Sequence, residues 1–191
     1  MRSIAIFASG SGSNAENINS WFVGSKLAKV SLILSDNPNA FVLERAKRLG
    51  IEHIVFTSTS LRDGKVLMEL QSRGIDFVVL AGFLRLIPQN IVEAYRGRII
   101  NIHPALLPKF GGKGMYGNKV HEAVVLADEK ETGITIHYVN EHYDKGDIVF
   151  QARCAIESTD TPQTVAAKVH ELEYKHFPKV IETLVKQLEQ K

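Results

Sequence analysis

The sequence is poor in cysteine, in long apolar runs and in excess charge of either sign. Its 191 residues hold one cysteine, Cys154. A single thiol forms no internal disulfide and no cysteine cluster for a metal, which leads us to expect a reducing compartment, the cytoplasm. The first apolar run, Ile4 to Ala8, is too short for the hydrophobic region of a signal peptide. No stretch approaches the ~20 apolar residues of a membrane span. Lysine and arginine number 23 against 21 aspartates and glutamates, a formal net charge of +2. That balance gives no electrostatic reason to expect a nucleic-acid or membrane partner. Repeats, low-complexity tracts and linkers are also lacking. One domain over 1–191 is expected, with a change of pattern between 1–103 and 104–191.

What is present is an alternation of β-rich and helical patterns. Strands are expected at Ser3–Ala8, Val30–Ser35, His53–Phe56, Phe77–Ala81 and Ile99–His103. Between them, apolar spacings of three and four predict helices at Asn14–Val23, Phe41–Leu49, Leu61–Arg73 and Pro88–Tyr95. This βαβ grammar predicts an α/β fold with a doubly wound, mostly parallel sheet. Residues 108–118 are glycine-rich and read as an extended loop. A short helix at Val120–Asp128 follows, then strands at Thr132–Val139 and Ile148–Ala155, close enough in sequence to pair antiparallel. Thr161–Lys191 reads as a long helix, with Thr161 as N-cap, Pro162 in the first turn and a kink at Pro178. Its apolar residues Leu172, Phe177, Ile181, Leu184 and Leu188 form a core face or the face of a homodimer.

Asn101-Ile102-His103-Pro104 carries the most chemistry. Proline lacks a backbone N–H, so the strand stops there. Asn101 and His103 are two residues apart, so in a strand they share a face. An amide donor and a titratable imidazole side by side can stabilise an oxyanion and handle a proton. Strand ends are also where open α/β sheets bind ligands.

Ser9-Gly10-Ser11-Gly12-Ser13-Asn14 follows strand one and opens helix one. Such a turn lets the backbone approach an anion at a helix N-terminus, with Ser13 and Asn14 as caps. A plain βα turn is the bland alternative. The same residues fit a relaxed dinucleotide pattern, with Asp36 as a ribose partner, so a nicotinamide-dependent oxidoreductase competes. A non-catalytic nucleotide-binding module is the second competitor. Arg85, past Ala81-Gly82-Phe83, suggests an anion partner. The histidines show no ligand-like spacing, so no metal is expected. His121, His170 and His176 lie on predicted helices and read as packed or partly exposed.

The set Gly10-Ser-Gly12-Ser-Asn14, Ala81-Gly82-Phe83-Leu84-Arg85, Asn101-Ile-His103-Pro-Ala-Leu-Leu-Pro108 and Asp144-Lys-Gly146-Asp-Ile148 resembles the phosphoribosylglycinamide formyltransferase family along essentially the whole chain. Two related families resemble it near the histidine. Methionyl-tRNA formyltransferase carries a further C-terminal domain and formyltetrahydrofolate deformylase an N-terminal one, and neither is evident here. The resemblance implies a formyltransferase-like Rossmann variant that moves a formyl group from 10-formyltetrahydrofolate to glycinamide ribonucleotide in purine biosynthesis. It implies Asn101, His103 and Asp144 as the catalytic trio. It implies Gly12, Ser13 and Asn14 at the nucleotide phosphate and Glu173 elsewhere on the nucleotide. It implies Leu84, Arg85, Leu86, Ile87, Asn101, Val139 and Asn140 around the folate, with His137 nearby. Ala105 departs from the family's usual serine and His142 from a usual apolar residue. The implied chemistry is direct attack by the amine, with protonated His103 and the Asn101 N–H at the oxyanion and Asp144 orienting the ring and relaying a proton.

Overall fold

The computed structural model describes residues 1–188. In chain order the elements are β1 (Arg2–Phe7), α1 (Ser13–Phe22), β2 (Ala28–Ser35), α2 (Phe41–Leu49), β3 (Glu52–Val55), α3 (Ser58–Arg62), α4 (Lys65–Ser72), β4 (Phe77–Leu80), α5 (Gln89–Ala94), β5 (Ile99–His103), α6 (Asn118–Leu126), β6 (Glu131–Tyr138), β7 (Ile148–Ala155) and α7 (Pro162–Gln187). The seven strands form one sheet in the order β3-β2-β1-β4-β5-β6-β7. The pairs among β1 to β5 are parallel, and β5–β6 and β6–β7 are antiparallel.

Alternation along the strands explains the layering. Ile4, Ile6, Ile33, Phe77, Val79, Ile100 and Ile102 pack on one face with Ile18, Val42, Phe177 and Ile181 from α1, α2 and α7. Ala5, Phe7, Leu32, Leu34, Val78, Leu80 and Ile99 pack on the other with Leu61, Leu70 and Ile91 from α3, α4 and α5. Both faces of the central strands are therefore covered, which is why β1 and β4 read as unbroken apolar runs. The buried stripe of α7 also decides its own question. Phe177, Ile181 and Leu184 belong to the core, and Leu172 and Leu188 pack against it.

One expected element differs. The single helix over 61–73 is two helices, because Asp63-Gly64 interrupts it: Asp63 Oδ1 accepts from Lys65 N at 3.1 Å and Gly64 has φ +89°. The long helix runs through Pro178 without interruption, and its last expected residues, 189–191, lie outside the described residues. Its start is as expected. Thr161 caps Thr164 N at 3.3 Å while Thr164 Oγ1 accepts from Thr161 N at 2.9 Å. Thr161→Ala is expected to destabilise the fold by about 1 kcal/mol. An unshifted urea midpoint would contradict that role for the cap.

Winding outward from β1 in one direction and from β4 in the other leaves a crevice at their C-terminal ends. Ser9–Gly12 and Ala81–Leu84 line it. No described helix is long and apolar enough to cross a membrane.

Candidate active site

A cleft of about 620 Å³ opens at this crevice. One wall is the turn into α1. Gly12 is the N-cap there, at φ +74°, and no side chain caps the helix. The N–H groups of Ser13, Asn14 and Ala15 therefore lack intrahelical partners at the positive end of the helix. Ser13 and Asn14 lie inside the helix, which differs from the expected capping role. Asn14 Nδ2 instead donates to Glu173 Oε2 at 2.9 Å. Glu173 reaches the cleft from α7 and is 4% exposed. His170, one turn earlier, donates to the same oxygen at 2.8 Å, and that bond raises its pKa despite partial burial.

The opposite wall is the end of β5. Asn101 and His103 are brought together with Asp144, which comes from the loop after β6. Asn101 Nδ2 donates to His137 Nε2 at 3.1 Å and lies 3.3 Å from Asp144 Oδ1. His103 Nδ1 stands 3.6 Å from Asp144 Oδ2 and His137 Nε2 3.5 Å from Oδ1. Gly112 N–H donates to Asp144 Oδ2 at 2.8 Å. Asp144 itself sits at φ +54°, a left-handed conformation that these contacts hold. Asn140 shapes the same turn, donating to Lys145 O at 3.0 Å and accepting from His142 N at 2.9 Å.

The hydrogen bonds fix the imidazole tautomers. His103 Nε2 faces the Phe110 carbonyl at 2.7 Å, and a carbonyl can only accept, so Nε2 carries the hydrogen. His137 Nδ1 likewise donates to Tyr138 O at 2.8 Å, leaving Nε2 to accept from Asn101. Burial lowers the pKa of His103 below its ordinary value, against the pull of the Asp144 charge and the Phe110 carbonyl. The ring is thus neutral at rest near pH 7. For Asp144, burial pushes the carboxyl up. The His137 contact, the His103 charge and the Gly112 N–H together bring it below the usual range.

A second, smaller recess of about 50 Å³ adjoins the cleft. Arg85, Leu86, Ile87, Val139 and Asn140 line it, while Leu84 lines the cleft. Asn101, Tyr143 and Asp144 line both spaces. Asn101 and Asp144 therefore border both the cleft with the expected nucleotide loop and the recess with most of the expected folate segment, while His103 lines the cleft alone. Arg85 also has an internal anion partner, Asp36, at 2.5 Å.

That pairing bears on the dinucleotide alternative. Asp36 Oδ1 accepts from Ser9 Oγ at 2.6 Å and Oδ2 from Arg85, and the side chain is 9% exposed. Both oxygens are already engaged, so a ribose would have to compete with Ser9 and Arg85. Lys109 turns from the cleft to Glu129 at 2.8 Å, whereas Lys113 lines it. Ala105 is fully buried against Val120 and Val124, so a methyl suits the position. The hydroxyl that fixes the backbone there is that of Thr135, which donates to Ala105 O at 2.7 Å and accepts from Leu107 N at 3.0 Å. His121, His170 and Tyr143 also line the cleft. No sequence pattern singled them out, because their spacing is that of ordinary helix and turn residues. Among the described residues no three His, Cys, Asp or Glu side chains gather as metal ligands.

Comparison with known proteins shows the family. The family model described as formyl transferase matches residues 2–181. The chain is 41% identical over 187 residues to the chloroplastic phosphoribosylglycinamide formyltransferase of Arabidopsis thaliana, covering 94% of this chain and 64% of that relative's length. It is 37% identical over 196 residues to phosphoribosylglycinamide formyltransferase of Bacillus subtilis, covering 97% of this chain and 95% of the relative. The crystal structure of phosphoribosylglycinamide formyltransferase from Bacillus halodurans superposes with a TM-score of 0.87 at 39% identity, over 96% of this chain and 95% of that one. With the glycine turn, the β5 pair and the aspartate of the 139–144 turn meeting at one cleft, the chain belongs to the formyl transferase family, among its phosphoribosylglycinamide formyltransferases.

Proposed function

We propose that this protein transfers the formyl group of 10-formyltetrahydrofolate to the primary amine of glycinamide ribonucleotide, a step of purine biosynthesis. The observation that carries the reading is the shared wall. Asn101 and Asp144 line both the cleft with the helix N-terminus and the recess with the folate segment. Two substrates placed on either side meet at these side chains, which is the geometry a direct transfer needs. The phosphate of the nucleotide lies at Gly12, Ser13 and Asn14, and Glu173 holds another part of it. The donor lies along Leu84, Arg85, Leu86, Ile87, Val139 and Asn140. In this reading 1–103 supplies the phosphate loop together with Asn101 and His103, and 104–191 supplies Asp144 and Glu173.

The uncharged amine attacks the formyl carbon, forming a C–N bond and placing negative charge on the former carbonyl oxygen. The Asn101 N–H facing Asp144 at 3.3 Å is the weaker of its two contacts, and it turns to the oxyanion. The depressed pKa of His103 keeps the ring uncharged at rest. Negative charge developing beside it favours protonation, so the imidazolium forms when the intermediate needs it. The proton comes from the attacking nitrogen and passes by way of His103 and Asp144 to N10. The C–N10 bond then breaks and tetrahydrofolate leaves. No step needs a serine or cysteine nucleophile, and no metal takes part in the scheme. The single thiol, Cys154, fits a reducing compartment such as the cytoplasm.

Incubation of the chain with both substrates is expected to give formylated nucleotide by mass spectrometry. Absence of that product, or a formylated protein trapped with the donor alone, would count against direct transfer. Ser13→Ala and Asn14→Ala are expected to weaken nucleotide binding by about tenfold and donor binding by under about twofold. Equal losses in calorimetric titrations with the two ligands would remove the phosphate loop from the account.

A further inference from the structure

His121 lies in α6 and is 3% exposed. Its ring lines the cleft along with His103, Asn14, His170 and Glu173. Nδ1 is buried without a hydrogen-bond partner. Nε2 makes no hydrogen bond within the protein either, and it is not among the fully buried unpartnered atoms, so it is the ring nitrogen with some exposure in a residue that lines the cleft. A buried N–H without an acceptor is worse than a lone pair without a donor, so the hydrogen sits on Nε2. Burial lowers the ring's pKa, and the neighbouring His170 and His103 act in the same direction while Glu173 opposes them. The ring is therefore a neutral donor that shares the cleft wall with His103 of the reaction centre and Glu173 of the nucleotide end. A histidine placed only to fill volume would not need an N–H aimed at open space.

We infer that His121 is a specificity residue whose Nε2–H donates to the carbonyl oxygen of the glycinamide arm, between the ribose and the reacting amine. The inference rests on the nucleotide reading above and adds the group that recognises the arm. Its partner is an uncharged amide carbonyl, which suits an uncharged donor in a half-enclosed site.

The test is calorimetric titration of the full chain with glycinamide ribonucleotide and with ribose 5-phosphate, which lacks the arm. His121→Phe is expected to weaken glycinamide ribonucleotide by about tenfold or more and ribose 5-phosphate by less than about twofold. His121→Gln places an amide nitrogen near the Nε2 position and is expected to recover most of the loss. His121→Asn, which is shorter, is expected not to recover it. In the steady state KM for the nucleotide rises in His121→Phe while KM for the folate donor stays. Unchanged affinity of His121→Phe, equal losses for the two ligands, or equal behaviour of the Gln and Asn variants each overturns the inference. If His121→Phe does not fold, the Gln and Asn pair decides alone. A wild-type chain that binds neither ligand overturns the nucleotide reading itself, whereas wild-type binding with an indifferent His121→Phe overturns only the role of His121.

Discussion

Asp144→Asn lowers kcat by about a thousandfold or more while leaving nucleotide affinity within about twofold. The substitution keeps the shape of the side chain and removes its charge. Asp144 receives the Gly112 N–H at 2.8 Å and faces both His103 and His137 at about 3.6 and 3.5 Å. Its charge is the largest influence holding the His103 pKa up against burial. Without it the imidazolium forms less readily beside the developing oxyanion, and the proton path to N10 is broken. The limb of the kcat–pH profile that reports His103 consequently moves to lower pH in the variant. Stability responds in the opposite range. The folded-state pKa of Asp144 is depressed from 3.8, so its contribution is present above that value and lost as pH falls through the depressed one. Asp144→Asn flattens this acid-side loss. A near-normal rate, with the His103 limb unmoved, removes Asp144 from the chemistry.

Gly12→Ala is the second large effect, and it acts on both fold and binding. Gly12 adopts φ +74°, which costs an alanine roughly 1–2 kcal/mol. A Cβ there would stand 2.3 Å from Val42 Cγ2 and 2.9 Å from Val42 Cα, so α2 has to shift. The two effects together are expected to destabilise the protein by roughly 2–5 kcal/mol. They also displace the N–H groups of α1 that face the cleft, so nucleotide affinity falls by more than about tenfold. Val42→Ala in the same chain removes only the Cγ2 contact, because the Cβ at 2.5 Å and the Cα at 2.9 Å remain, so it recovers little of the stability. A Gly12→Ala variant with wild-type melting temperature and wild-type nucleotide affinity would show that neither the conformation nor the close approach matters.

Much of this arrangement was legible in the sequence, for identifiable reasons. Strands β1 to β5 carry apolar runs between turn residues, and β5 matches its expected bounds of Ile99 and His103. The pairing of Asn101 with His103 follows from the two-residue period of a strand ending at Pro104. Asp144 was different. A turn aspartate has no local feature that aims it at a histidine forty-one residues earlier in the chain, and only the family resemblance pointed to it. His121 and His170 were hidden for the same reason. Their place in the cleft depends on how α6 and α7 pack, and helical periodicity does not mark which polar residue meets a crevice. The resting charge of His103 was also beyond the sequence, since it depends on burial and on the Phe110 carbonyl 2.7 Å away. The Asp63-Gly64 interruption lies inside a stretch whose apolar period continues on both sides, which is why the spacing reads as one helix.

The most direct test is the absorbance change as 10-formyltetrahydrofolate is consumed, followed with and without glycinamide ribonucleotide. Loss of the donor only when the nucleotide is present, with formylated nucleotide formed in equal amount, is the result predicted by two substrates meeting at Asn101, His103 and Asp144. Consumption at the same rate without the nucleotide, yielding free formate, would contradict it.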